Sequence, residues 1–457
     1  MAAKARVFSE ITYQRVESFG VSGAWWAQLV GSWEGNPARA EIARLLFSKT
    51  EGLGIACYRY NLGGGSKRSR KGRFNNEPRR ADSFDVSETE YDWERDGEAV
   101  WMLREAVRLG VEEVVFFVNS PPERWTVTGT TQAKLPFRKN LRRACEPAFT
   151  RYVLDVTEHF LREGIPIKFV SPVNEPFGPW IEKSGQEGCH YHPAGLRRLL
   201  RGFALAMAKR PALRDVLLSG AENNDLRLMN KTYTRALLDD RLIRKYMDGI
   251  DVHGYVFHPL RFLDEAGVRR RFRKYMDKRY PGQPIRMTEW THMQGGRDYG
   301  MGSALAQAHT MFMDFSILNV VSWQCWIAVS EVDFCDGLLY IDAEKQVYSI
   351  PKRYYAFGNF TKFLPRGSLR VGLELQNAPA GLEYLAFQVP DGKTVLLFAN
   401  HSAAPCDVTV APGKGTLHVT SEEKDLSWET IDLEAFALPA RSVCTLVIEH
   451  IFEGEQP

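Results

Sequence analysis

No stretch of this 457-residue chain approaches the roughly 18 consecutive apolar residues that a membrane-spanning helix needs. No apolar signal core follows the opening Met1-Ala2-Ala3-Lys4-Ala5-Arg6. The expected location is therefore cytoplasmic, or outside the cell if a signal has been removed. Cysteine is sparse: 7 residues, odd in number, scattered, and without CxxC spacing. That excludes a disulfide scaffold and points to reduced, mostly buried thiols, which favours the cytoplasm. A dominant charge is also missing, since 59 Lys and Arg against 56 Asp and Glu leave +3. So slight an excess gives no footprint for nucleic acid. There is no internal repeat and no low-complexity linker.

What is present is a globular balance of 44% hydrophobic and 25% charged residues, able to bury a sizeable core. The length suits a large barrel with a smaller module. Short β-rich runs recur at Val21–Trp26, Gly54–Leu62, Glu113–Asn119, Ile167–Val173, Val216–Ala221, Ile250–Val256, Ile285–Trp290 and Val320–Trp326. Many are apolar almost throughout, the pattern of strands covered on both faces. Helical periodicity lies between them, at Trp93–Leu109, Ala148–Glu163, Leu196–Lys209 and Ala304–Leu318. The alternation predicts an α/β fold with a parallel sheet, closed as a (β/α)8 TIM barrel. Beyond about Tyr355 the texture changes to short alternating segments, Glu383–Gln388, Thr394–Ala399, Asp407–Val410, Thr416–Thr420 and Val443–His450. Turn residues such as Pro390-Asp391-Gly392 separate them, which predicts an antiparallel β-sandwich. Arg6–Ile11 precedes the barrel and is expected to join that sandwich. The expected division is 1–18 for the N-terminal sandwich segment, 19–355 for the barrel and 356–457 for the sandwich side domain.

Chemistry in such a barrel sits at the C-terminal ends of the strands. The fourth run ends Phe169-Val170-Ser171-Pro172-Val173-Asn174-Glu175-Pro176, and the seventh ends Ile285-Arg286-Met287-Thr288-Glu289-Trp290. Two carboxylates therefore face one mouth from opposite sides. Cleavage of a glycosidic bond uses such a pair, one to protonate the leaving oxygen and one to support the anomeric carbon.

Asn-Glu-Pro after the fourth strand and Glu after the seventh resemble the clan A glycoside hydrolases. More narrowly, the chain resembles glycoside hydrolase family 30. Tyr58-Arg59-Tyr60-Asn61-Leu62-Gly63-Gly64, Asn119-Ser120-Pro121-Pro122, Val252-His253-Gly254-Tyr255, Asp336-Gly337-Leu338 and Tyr354-Tyr355-Ala356-Phe357-Gly358-Asn359-Phe360 carry that likeness, in family order over nearly the whole chain. The resemblance implies a barrel with a side β-sandwich built from both termini. It implies a retaining mechanism with Glu175 as acid/base and Glu289 as nucleophile, and no metal or organic cofactor. Asn174 matches the residue that bonds the sugar 2-hydroxyl.

Neighbouring residues add to this. Arg59, ending the second strand, is a candidate partner for the Glu289 carboxylate, with a purely structural ion pair as the alternative. Tyr255 is a candidate hydrogen-bond donor to Glu289, and His253 a candidate lining residue of the sugar pocket. Trp25, Trp26, Trp125, Trp180, Trp290, Trp323 and Trp326 gather at the predicted mouth, where aromatic faces can stack on sugar rings. Of these, Trp125, Trp180, Trp290 and Trp326 are taken as substrate contacts and some of the rest as core.

Three local patterns invite other readings. Gly63-Gly64-Gly65-Ser66-Lys67 lacks the GxxxxGK[ST] spacing of a phosphate loop. The run Lys67–Arg73 in the long 63–92 loop reads as a solvated surface, with a uronic-acid subsite as the alternative. Cys189-His190-Tyr191-His192 has no second liganding cluster and reads as structural. Gln186-Glu187-Gly188-Cys189 is similar to the β-1,6-galactanase branch of the family, so the expected substrate is a β-1,6-linked galactan or galacto-oligosaccharide. The alternatives are β-glucosidase, β-xylosidase, β-fucosidase or transglycosylase activity, and, in another class, a carbohydrate-binding protein without catalysis.

Overall fold

The computed structural model describes residues 2–69, 77–256 and 264–449. The chain starts in the sandwich with β1 (Ala3–Arg15), then lays down the barrel strands β2 (Ser18–Ser22), β3 (Cys57–Asn61), β4 (Glu113–Phe117), β5 (Ile167–Ser171), β6 (Leu217–Leu218), β7 (Ala221–Asn223), β8 (Ile250–His253), β9 (Ile285–Trp290) and β10 (Ser322–Cys325). Their order is β6-β5-β4-β3-β2-β10-β9-β8-β7, and each neighbouring pair in it is parallel. The two ends of that order, β6 and β7, are halves of one strand, so the ring closes as eight parallel staves. The break falls at Ser219-Gly220, where the Gly220 N–H donates to the Asp251 side-chain carboxylate on β8 at 2.9 Å instead of to a backbone carbonyl. The predicted single strand Val216–Ala221 is therefore two short pieces.

The first strand also differs from its expected range. It ends at Ser22, and Trp26 opens helix α1 (Trp26–Gly31). The run Val21–Trp26 is apolar because it is buried at the mouth, not because all of it is strand. Helices α2 (Pro37–Phe47), α3 (Gly97–Arg108), α4 (Glu146–Arg162), α5 (Pro193–Met207), α6 (Asn230–Leu238), α7 (Glu265–Arg279), α8 (Met301–Met313) and α9 (Lys352–Thr361) follow. Their starts follow local chemistry: Asn36 accepts the Ala38 N–H and Pro37 opens α2. In α4 the buried Phe149, Tyr152, Val153, Val156 and Phe160 recur at helical spacing and cover the barrel wall. α8 ends at Met313, and a wider helical turn of five residues follows, Asp314–Leu318, in which Asp314 turns inward onto Arg269 and Trp323. Among the described residues no helix is long and apolar enough to cross a membrane.

Three short strands, β11 (Ile327–Ser330), β12 (Gly337–Asp342) and β13 (Val347–Ser349), make a separate sheet after β10. The sandwich then forms from β14 (Leu369–Gln376), β15 (Leu382–Gln388), β16 (Thr394–Asn400), β17 (Cys406–Thr409), β18 (Lys414–Thr420), β19 (Ser427–Asp432), β20 (Phe436–Leu438) and β21 (Ser442–Ile448). β1 pairs antiparallel with β14, from Lys4 opposite Gln376 to Arg15 opposite Leu369. α9 runs across position 355, and the first sandwich strand of the C-terminal part starts at Leu369. β19 escapes sequence pattern because it is an edge strand exposed on nearly every residue, so it has no apolar alternation. All seven cysteines are free thiols, and six are buried.

Candidate active site

β5 stops at Ser171, and the turn Pro172-Val173-Asn174-Glu175-Pro176 carries the chain over the mouth. The Asn174 N–H donates to the Val118 carbonyl at 2.9 Å, and the Glu175 N–H to the Glu222 carbonyl at 3.0 Å. Glu175 and Glu222 sit at φ +47° and +48°, a left-handed conformation that non-glycine residues seldom adopt and that concentrates at functional sites. On the other side, β9 carries an irregularity. Val252 pairs with Met287, yet His253 pairs with Glu289, so one residue of β9 is extra. Such a bulge re-aims the side chains beyond it, and it brings Glu289 level with the end of β8.

The carboxylates of Glu175 and Glu289 meet around His253, with one oxygen of each and a ring nitrogen all within 4.8 Å of one another. His253 Nδ1 is 3.0 Å from Glu175 Oε1 and 3.5 Å from Glu289 Oε1. Tyr255 donates its hydroxyl to Glu289 Oε1 at 3.2 Å. Arg59 donates Nη1 to Glu289 Oε2 at 3.1 Å, and Nη2 to Glu222 Oε1 at 3.1 Å and Asn174 Oδ1 at 3.3 Å. Its guanidinium lies 4.3 Å from the centre of the Phe117 ring. Asn174 passes the chain on, donating Nδ2 to Asn119 Oδ1 at 3.0 Å, and Asn119 donates to Asn61 Oδ1 at 3.2 Å.

Burial dominates the electrostatics. It pushes the Glu175 carboxyl up to about 8, with Arg59 opposing and Glu222 adding to the rise. It pushes Glu289 up to about 7; His253 and Arg59 oppose this and Glu175 adds to it. Burial also drives the His253 pKa down, against the pull of Glu289 and Glu222. Arg59 is a permanent cation beside Glu289 and opposes its protonation, while His253 sets a ring nitrogen between the two carboxyls.

Not every predicted contact reaches the mouth in the expected role. His253 is fully buried beneath the carboxylates and does not line a sugar pocket. Trp125 is in the core, its ring 5.7 Å from that of Tyr152 on α4. Trp180 is 6% exposed, and its Nε1 is committed to the Glu175 carbonyl at 2.8 Å. Its ring fills the space over Gly178 and Gly188, where an added Cβ would come within 2.1 and 2.3 Å. Trp290 stacks parallel to His292 with centroids 6.5 Å apart and is 8% exposed. Trp323 is fully buried and donates Nε1 to Asp314. Trp326 stands edge-on to Trp25 at 5.4 Å, and with Trp26, Arg79, Glu331 and Asp336 they line a narrow cleft.

Glu222 is the residue that sequence reasoning missed. It is fully buried, accepts from Ser171 as well as Arg59, and lies in β7, the second half of the broken fifth barrel strand. The question that found Glu175 and Glu289, namely what each strand ends with, finds it once the strand is drawn through Asn223. The glycine-rich turn has its own occupant: the Glu187 carboxylate accepts the Gly64 N–H at 2.9 Å and the Ser66 N–H at 3.3 Å. Lys67 and Arg68 pair with Glu98 and Asp82, and the rest of the basic run, from position 70 to 73, lies outside the described residues.

Known proteins share this fold. The model for "O-Glycosyl hydrolase family 30" matches residues 3–246, and that for "Glycosyl hydrolase family 30 beta sandwich domain" matches residues 367–446. An endo-β-1,6-galactanase of Hypocrea rufa is 24% identical over 417 residues, covering 85% of this chain and 79% of the relative. A conserved exported protein of Bacteroides fragilis superposes with a TM-score of 0.88 at 21% identity, over 98% of this chain and all of that one. The catalytic domain of a family 30 xylanase C from Talaromyces cellulolyticus gives 0.73 at 16% identity, over 97% and 99%. The barrel, its sandwich and these relatives define a glycoside hydrolase, acting on carbohydrate. The first match covers just over half of the sequence, and the chain belongs to glycoside hydrolase family 30.

Proposed function

We propose that this hydrolase retains anomeric configuration, with Glu175 as acid/base and Glu289 as nucleophile, and that its substrate is a β-1,6-linked galactan or galacto-oligosaccharide. The observation that carries the mechanism is the close approach of the two carboxylates, with oxygens inside 4.8 Å. Retaining pairs stand about 5–5.5 Å apart, whereas an inverting pair needs about 6.5–9.5 Å to admit a water. Glu289 attacks the anomeric carbon while Glu175 gives its proton to the departing oxygen, leaving a glycosyl ester on Glu289. Glu175, now ionised, takes a proton from water; that water attacks the same carbon and releases Glu289. The higher pKa of Glu175 suits the acid, and the bonds from Arg59 and Tyr255 hold Glu289 ionised and aimed. The sugar rests on likeness to the Hypocrea rufa galactanase across most of both chains.

The test is product analysis on β-1,6-galacto-oligosaccharides beside β-glucoside, β-xyloside and β-fucoside controls. Galactoside cleavage is expected, with β-configured first products by NMR. Glu289→Gln abolishes it, and Glu175→Gln slows it by about 10²–10⁴-fold. Turnover of another glycoside alone would overturn the sugar. An α-configured first product would overturn the retaining pair.

A further inference from the structure

Far from the mouth, barrel and sandwich meet through a second convergence of side chains. His309 projects from α8. Glu383 is the second residue of β15, and His401 follows the last residue of β16. His309 Nδ1 is 2.7 Å from Glu383 Oε1, and His401 Nε2 is 2.8 Å from Glu383 Oε2. The two imidazole rings stand 5.7 Å apart at 85°, and the three ligand atoms lie within 4.8 Å of one another. Among the described residues this is one of two groups of three with that property, the other being the Glu175, His253 and Glu289 trio.

We propose that His309, Glu383 and His401 form a binding site for a divalent transition-metal ion, with Zn²⁺ as its simplest occupant, tying the barrel to the sandwich. Two imidazoles and a carboxylate are a donor set that such ions favour over Mg²⁺ or Ca²⁺. A tetrahedral ion with bonds of about 2.0–2.2 Å holds its ligand atoms ~3.3 Å apart. The three donor atoms already lie within 4.8 Å of one another, so closing them around an ion is within reach of side-chain rotation. Glu383 and His401 are preset by the hairpin: Glu383 pairs with Ala399, and the His401 N–H donates to the Gly381 carbonyl at 2.9 Å. His309 is exposed and its two partners are half-buried, so an ion enters from solvent and keeps a water as its fourth ligand. Arg269, the nearby cation, is engaged by Asp314 and Glu265. The ligands come from positions 309, 383 and 401, on three elements, so no short motif announces them.

The full chain, stripped with chelator, is titrated with Zn²⁺ by calorimetry and with Co²⁺ by visible absorption, and its melting is followed with and without Zn²⁺. One ion per chain, the intense Co²⁺ bands of a tetrahedral site and a Tm raised by a few degrees are expected. His309→Ala, His401→Ala and the near-isosteric Glu383→Gln each weaken binding at least ~10-fold, while still melting cooperatively and cleaving substrate. Glu289→Gln leaves binding unchanged. No stoichiometric ion, equal affinity in the three variants, or loss in Glu289→Gln alone would each overturn the assignment, the last by moving the ion to the mouth.

Discussion

Arg59 is the residue on which the mouth depends. It is fully buried and has no aqueous charge to fall back on, so its contacts with Glu289, Glu222 and Asn174 set the ionisation of the whole group. Under the proposed mechanism, activity needs Glu289 ionised, hence a pH above its value of about 7, and Glu175 protonated, hence a pH below its value of about 8. A plot of kcat/KM against pH is therefore expected to be a narrow bell whose two limbs belong to the coupled pair. Removing the cation favours the neutral form of Glu289, so Arg59→Gln moves the acid limb upward and lowers the maximum. An unmoved limb would show that Arg59 does not act through Glu289. The variant also leaves two buried carboxylates uncompensated, a cost of about 3–5 kcal/mol, so its profile is recorded well below its Tm.

Among the elements, the bulge in β9 and the break in the fifth strand decide the site. A regular β9 would pair His253 with Thr288 and leave Glu289 one residue further along. A one-residue slip reverses the face a side chain takes, and periodicity carries no sign of it. Close packing of short helices is another element-scale device. An added Cβ at Gly31, which ends α1, would lie 2.1 Å from the Glu98 carbonyl of α3. Gly31→Ala is expected to push α1 off α3 at a cost of about 1–3 kcal/mol, read by denaturant unfolding. Wild-type stability in that variant would mean that the helices can separate freely.

The whole molecule behaves as two cores sharing one seam. Asn359 on α9 donates to Thr445 Oγ1 at 2.9 Å and accepts from Thr420 Oγ1 at 2.7 Å, both on sandwich strands. Gln14 on β1 donates to the Phe315 carbonyl at 2.8 Å, and Arg370 on β14 reaches Asn319 at 2.9 Å. These bonds are buried or half-buried on both sides of the seam, so calorimetry is expected to give one unfolding transition for barrel and sandwich together. Asn359→Ala leaves the buried Thr420 hydroxyl without its acceptor, while Thr445 Oγ1 keeps its bond to the residue-359 carbonyl, and the change is expected to cost about 1–3 kcal/mol. Two separate transitions in the unsubstituted protein would break this picture.

The sequence by itself determined the class of fold and the two mouth carboxylates. Buried parallel strands are apolar runs, helices between them repeat every three to four residues, and barrel chemistry falls at strand ends, so Glu175 and Glu289 stand out without coordinates. Arg59 and Tyr255 stood out as candidates for the same reason. Only the tertiary structure decided that His253 lies fully buried between the carboxylates, that Glu222 joins Arg59, that Trp125 is core, and that Trp180 braces the turn carrying Glu175. The physical reason is the same in each case. A strand end fixes where a side chain starts, but a bulge, a left-handed residue or a neighbour 100 positions away fixes where it points, and those are properties of packing that local pattern does not encode.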